Sequence, residues 1–247
     1  MSAAKCVPAA ILMSGTGSNA RRLLEQPDAS YEVRLILTDN PASNAPRIAR
    51  EFGVECRLHD IYCFCGVPHP GQGLDGEGRR RLRDPGLRAA YDRELGRILA
   101  RCGARLAALA GYDWVVGPEL CRDFLLVNVH PGDLRVKDAS GRRLYVGLGW
   151  IPTAKAILNG ELYAYSCTHL VTAELDGGPI ARVSSPLALD LPQGITARNI
   201  LPEGVSLGEI IRDIRDGGGR FGEALLYKHA KNVQERLKVT GDWVEFP

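Results

Sequence analysis

Asn128-Val129-His130-Pro131 and, about forty residues later, Glu174-Leu175-Asp176-Gly177-Gly178-Pro179 supply an amide, an imidazole and a carboxylate. These are the groups that a direct acyl transfer to an amine needs. The Asn128 amide can donate to the oxyanion of a tetrahedral intermediate, and the His130 ring can add a second donor or carry protons. The Asp176 carboxylate can set the tautomer and charge of that ring. No protein nucleophile is required when the amine attacks the acyl donor itself. Each residue also has an ordinary structural reading. Asn128 can cap a turn, His130 can be a satisfied core histidine, and Asp176 can shape a turn with its two glycines.

The elements around these residues suit a ligand site. Phe124 to Val129 reads as a buried strand, so Asn128 and His130 leave its carboxyl end, where open α/β sheets bind ligands. Val7–Met13, Val33–Thr38, Val54–Leu58 and Leu106–Ala110 are further apolar strands. Helices over Asn19–Gln26, Pro46–Phe52 and Leu87–Cys102 alternate with them. This order predicts an α/β fold with a predominantly parallel, Rossmann-like sheet and helices on both faces. Tyr165–Glu174 and Ile180–Leu189 are expected to form a late β-hairpin around Asp176-Gly177-Gly178. Helices over Ser206–Arg215 and Phe221–Leu237, separated by Gly217-Gly218-Gly219, close the chain. Residues 1–191 are expected to form one domain, with a loop-like insertion at 63–87 and an active-site loop at 132–147. Residues 192–247 are expected to be a helical extension packed on that domain.

Ser14-Gly15-Thr16-Gly17-Ser18-Asn19 lies between the first strand and the first helix. Backbone amides there can hold an anion, with Ser18 and Asn19 adding side-chain donors; the phosphate of a small substrate would fit. Gly15-x-Gly17-x-x-Ala20 also fits a dinucleotide fingerprint, with Asp39 as the ribose-binding acid. A tight turn that needs glycine only for its conformation is the third reading.

Composition limits the partners. The 247 residues carry a net charge of +2, with 45% hydrophobic and 24% charged residues. That balance argues against a nucleic-acid binder, and no window is apolar and long enough to span a bilayer. No secretory signal follows Lys5. The chain is therefore expected in the cytoplasm with its seven cysteines reduced. Its oligomeric state, a homo-oligomer included, is left open. Cys56, His59, Cys63, Cys65 and His69 fall close together, but their spacing matches no finger or ribbon, so no metal site is assigned.

Taken in order, these motifs resemble the phosphoribosylglycinamide formyltransferases and the wider 10-formyltetrahydrofolate transferase and hydrolase group. The resemblance covers roughly residues 7–60 and 88–185. It rests on Ser14–Asn19, Ala90–Leu95, Leu109–Tyr112, Asn128–Pro131, Tyr145–Leu148 and His169–Pro179. It implies Asn128, His130 and Asp176 as the catalytic set, and Gly17, Ser18 and Asn19 as the ligands of a substrate phosphate. It implies Leu109, Ala110, Gly111, Tyr112, Leu125, Val171 and Thr172 as a folate pocket, with 10-formyltetrahydrofolate as co-substrate. The activity it implies is formyl transfer to the primary amine of a phosphorylated small molecule, with glycinamide ribonucleotide the first candidate. A formyltetrahydrofolate hydrolase, a transferase for another amine, and a silent binding module are the alternatives. An NAD-dependent dehydrogenase built on Gly15, Gly17 and Asp39 is a further one.

The chain departs from the family pattern in three places. The loop after His130 carries a longer, charged segment from Arg135 to Leu144, and Gly149-Trp150 replaces a histidine-threonine pair. Lys228 stands where an acid for the substrate ammonium is expected, with Glu223 about one turn earlier. Segments 63–87 and 192–222 look like insertions.

Overall fold

Strand β1 (Val7–Met13) is buried from Ala9 to Met13, as an apolar run covered on both faces requires. The computed structural model describes residues 6–26, 30–215 and 219–245. After β1 come α1 (Ser18–Leu24), β2 (Tyr31–Thr38), α2 (Ala45–Phe52) and β3 (Glu55–Leu58). Helix α2 stops at Gly53, whose φ of 67° is a left-handed cap that glycine adopts without strain. Strands β1, β2 and β3 pair in parallel, as do β1 with β4 (Leu106–Leu109) and β4 with β5 (Leu125–His130). The seven-stranded sheet runs β3-β2-β1-β4-β5-β7-β8, where β7 is Cys167–Leu170 and β8 is Ile180–Val183. The expected Rossmann-like, mostly parallel sheet is present.

Segment 63–87 is not the loop expected from its glycine and arginine content. It holds α3 (Ile61–Cys65), α4 (Gly76–Leu82) and the start of α5 (Pro85–Arg101). Each begins on an aspartate that accepts backbone N–H groups of the first turn. Asp60 takes Tyr62 and Cys63, Asp75 takes Gly78, and Asp84 takes Leu87 at 2.8 Å. Pro85 at the first position of α5 fits the same signal. Ile61, Cys65 and Leu82 then join Tyr91, Leu95 and Leu99 in the core.

The chain divides into two compact units, residues up to 128 with 170–179, and 129–169 with 180 onward. The first unit thus runs through Asn128, and the second begins at Val129. In the second unit the expected hairpin is shorter than its alternation suggested. Strand β7 pairs antiparallel with β8, but β9 (Leu187–Ala188) pairs instead with β6 (Tyr163–Ala164) in a separate two-stranded sheet. Helices α7 (Ile151–Leu158) and α9 (Leu225–Leu237) share one core: Ala154 and Ile157 meet Leu226, Ala230 and Val233 there. Helix α6 (Pro118–Asp123) precedes β5, and α8 (Leu207–Arg215) precedes α9. Residues 221–224 form a turn rather than the start of α9, and Gly217 and Gly218 lie outside the described residues. A π-helical turn, Lys238–Asp242, leads into α10 (Trp243–Glu245). Ser166 Oγ donates to Asp242 Oδ1 at 2.5 Å, fixing this last segment beside β7. No described helix is long and apolar enough to cross a membrane.

Candidate active site

Ser14, the residue after β1, organises the ligand edge of the first unit. Its hydroxyl donates to Asp39 Oδ1 at 2.5 Å and accepts the backbone N–H of Asp113 at 2.9 Å. Trp114 Nε1 donates to Asp39 Oδ2 at 2.7 Å. Asp39 is buried and both its oxygens are engaged by the protein. Burial pushes its carboxyl pKa up against the opposing pull of these two donors. A ribose-binding acid must face the ligand, so the dinucleotide reading of Gly15, Gly17 and Asp39 fails at Asp39.

The glycine loop itself is open to a ligand. Asn44 takes up the carbonyls of Gly15 and Thr16, at 3.1 and 3.2 Å. Among the described residues no acceptor meets the backbone N–H groups of Gly15, Thr16, Gly17 or Ser18. Gly17 has a φ of 76°, and a Cβ there would stand 2.7 Å from Met13 Cε, so glycine is required. Ser18 is half-buried and Asn19 buried at the start of α1.

Strand register brings Asn128 to this edge. Leu12 of β1 lies beside Leu109 of β4, and Leu109 beside Asn128 of β5. Leu109 and Ala110 are buried at the end of β4. Gly111, with a φ of 78°, then turns the chain, and its carbonyl accepts the Ser14 N–H at 2.8 Å. Two of the residues expected to line the folate pocket, Tyr112 and Leu125, have different surroundings from Leu109 and Ala110. Tyr112 is buried in the core, its hydroxyl 3.4 Å from that of Tyr91. Leu125 is exposed at the amino end of β5, opposite Leu106, and lines a groove with Val7 and Pro8. Leu126 is the buried neighbour, and its carbonyl accepts the N–H of Val171 at 2.8 Å. Alternation along β5 sends Leu126 and Asn128 to one face, a signal that pointed to Leu126 rather than Leu125.

Asp176 occupies the turn that follows Val171 and Thr172. It is buried, and it is the one non-glycine residue with a left-handed backbone among the described residues, at φ 50°. Aspartate tolerates that conformation better than most residues. The turn is closed by Gly177 N–H to the Glu174 carbonyl at 3.0 Å and Leu170 N–H to the Pro179 carbonyl at 2.9 Å. A side chain at Gly178 would collide with the Leu170 carbonyl.

In the second unit, His130 ends β5 fully buried, with Nε2 2.6 Å from the carbonyl oxygen of Tyr145. A carbonyl only accepts, so Nε2 carries a hydrogen and Nδ1 is the basic nitrogen of the neutral ring. Tyr145 is buried as well, and its hydroxyl donates to Glu161 at 2.5 Å. Burial and that bond push its pKa up to about 12. The charged loop between His130 and Tyr145 is built, not loose. Lys137 bridges to Arg143, and Asp138 accepts the N–H groups of Ser140 and Arg142. The Ser140 hydroxyl, which also donates to Asp138 at 2.6 Å, and these N–H groups hold the Asp138 carboxyl at about 2. Cys167 is buried with its sulfur accepting the Leu134 N–H at 3.4 Å, and burial raises its pKa to about 11. A thiol so raised makes a poor nucleophile at neutral pH.

Lys228 does not stand as a bare cation: its Nζ pairs with Glu223. The cysteine and histidine group disperses. His59 stacks on Tyr91 with centroids 4.0 Å apart, His69 pairs with Asp60 at 3.0 Å, Cys65 is in the core and Cys63 is exposed. Among the described residues no three metal-ligating side chains converge.

No family model matches the chain. It is 26% identical over 195 residues to phosphoribosylglycinamide formyltransferase of Escherichia coli, across 76% of this chain and 77% of that one. The chain is thus similar in sequence to a phosphoribosylglycinamide formyltransferase. Solved structures agree at the level of fold. Glycinamide ribonucleotide transformylase 1 from Symbiobacterium toebii matches with a TM-score of 0.59 at 20% identity, covering 94% of this chain and 86% of that one. Phosphoribosylglycinamide formyltransferase from Streptococcus pneumoniae TIGR4 matches with a TM-score of 0.56 at 19% identity, covering 94% and 98%. The formyltransferase likeness thus extends over the departures at 63–87 and 192–222, which carry helices inside the shared fold.

Proposed function

We propose that this protein transfers a formyl group from 10-formyltetrahydrofolate to the primary amine of a phosphorylated small molecule, with glycinamide ribonucleotide in purine synthesis as the preferred acceptor. The observation that carries this reading is the shared edge of the first unit. The open N–H groups of Gly15–Ser18 follow β1, and Asn128 stands two strands away in β5. With strands about 4.8 Å apart, a phosphate on Gly17, Ser18 and Asn19 leaves an amine about 10 Å off free to reach an acyl carbon at Asn128.

The amine nitrogen attacks the formyl carbon, forming a C–N bond and a tetrahedral oxyanion. Asn128 donates to that oxyanion through its side-chain amide. The amine gives up its proton to Asp176, directly or through water. Collapse breaks the bond from the formyl carbon to N10 of the folate, and N10 leaves with a proton. N10 takes the proton that Asp176 received from the amine, and His130, whose Nε2–H is held by the Tyr145 carbonyl, is the residue we assign to relay it. Leu109, Ala110, Gly111, Leu126, Val171 and Thr172 are the residues we assign to the folate.

The test is a formyl-transfer assay on glycinamide ribonucleotide, with the Asn128→Ala variant beside the wild type. Formate release with no amine present would instead identify the hydrolase.

A further inference from the structure

Beside the open N–H groups of the glycine loop, the Asp113 carboxylate is placed by the protein and meets no partner among the described residues. Its backbone is fixed, because its N–H donates to Ser14 Oγ at 2.9 Å while Trp114, the next residue, is tied to Asp39 at 2.7 Å. Its side chain makes no hydrogen bond or ion pair among the described residues, and the residue keeps solvent access. Its near neighbour is another carboxylate, Asp39, whose charge it feels. Arg88 stacks over Trp114, the residue after Asp113, at 5.0 Å. It is directed to the Val115 carbonyl at 2.9 Å and to Asp92 at 3.7 Å. Among the described residues no cation is paired with Asp113.

Position decides what would. Asp113 lies four residues beyond Leu109, which pairs with Asn128, and it is bonded to Ser14, which opens the glycine loop. It thus borders the path between a phosphate on the loop and an amine at Asn128. A fixed anion on that path favours a ligand that brings a positive charge. The position where the family pattern has an acid on the late helix is Lys228, and Glu223, the acid one turn earlier, is paired with it.

We propose that Asp113 is a specificity-determining residue that receives the acceptor's amino group as the incoming ammonium, which must lose a proton to solvent before its nitrogen attacks the formyl carbon. This rests on the formyl-transfer reading above and names the group that selects the amine. An exposed ion pair is worth little, whereas one at least partly desolvated by bound substrate is worth more.

The experiment compares equilibrium binding of glycinamide ribonucleotide with binding of its analogue in which a hydroxyl replaces the amine. Wild type, Asp113→Asn and Asp113→Ser are titrated without folate, and Trp114 fluorescence and the melting temperature confirm the fold of each. The wild type is expected to prefer the amine about tenfold, and both variants to lose that preference while binding the hydroxyl analogue unchanged. Transfer assays should show a raised KM for the amine, with the KM for the folate unmoved. An amine preference that survives in either folded variant would overturn the proposal. So would a wild type that transfers formyl groups normally yet does not distinguish the two ligands. A wild type with no transfer to any phosphorylated amine would overturn the functional reading, and the role of Asp113 with it.

Discussion

His130 Nε2 stands 2.6 Å from the carbonyl oxygen of Tyr145, and that bond fixes a hydrogen on Nε2 and the plane of the ring. The geometry depends on Gly132. A Cβ at that position would stand 2.8 Å from His130 Nε2, 2.6 Å from the Tyr145 oxygen and 2.8 Å from Pro152 Cβ. The Gly132→Ala substitution should therefore force the ring and the carbonyl apart. The expected cost is about 1–3 kcal/mol in stability from overpacking and a loss in kcat of about tenfold or more. A melting curve and steady-state kinetics check both. Normal turnover in a folded Gly132→Ala protein would remove His130 from the mechanism.

Asn128 should matter to turnover and little to binding. Its role is to meet charge that exists only in the intermediate, so Asn128→Ala should lower kcat about a hundredfold or more while leaving the KM for the folate near its wild-type value. Asn128→Asp is expected to be as inactive, since a carboxylate repels the oxyanion. A variant that loses affinity and keeps kcat would assign Asn128 to binding instead.

Asp176 offers a separation of fold from chemistry. Asparagine has nearly the same shape and also tolerates the left-handed backbone that Asp176 adopts at φ 50°. Asp176→Asn should therefore melt close to the wild type yet turn over about a hundredfold more slowly, because the amide cannot take the amine's proton. Asp176→Leu, by contrast, should lower stability, as a bulky residue in that conformation is strained. Equal activity of wild type and Asp176→Asn would exclude the carboxylate as proton acceptor.

How far these sites could be read beforehand follows from the kind of signal each element carries. The parallel strands were plain because Val7–Met13 and Phe124–Val129 are apolar runs bounded by glycine, proline or charge. The glycine loop, Asn128, His130 and the Asp176 turn stood out through residue type and spacing alone. Helices α3 and α4 were missed because Asp60 and Asp75 cap segments too short to show a period. The burial of Asp39 was missed because its partners, Ser14 and Trp114, lie 25 and 75 residues away. Tyr145 as the partner of His130 could not be read either, since a carbonyl leaves no trace in residue type.

Asp113 gives a prediction in pH. Crowding around its carboxyl and the charge of Asp39 raise its pKa to about 6, against about 3.9 for an unfolded aspartate. A raised carboxyl pKa means that the folded state holds the proton more tightly than the unfolded state does. The stabilisation is then fully present below about pH 4 and is lost as pH rises through about 6. Asp113→Asn cannot ionise, so the stability difference between variant and wild type should grow in the variant's favour between those two pH values and stay level above them. Urea unfolding of both proteins across that range measures it. A constant difference would mean that the Asp113 carboxylate titrates as an ordinary surface acid, unaffected by Asp39.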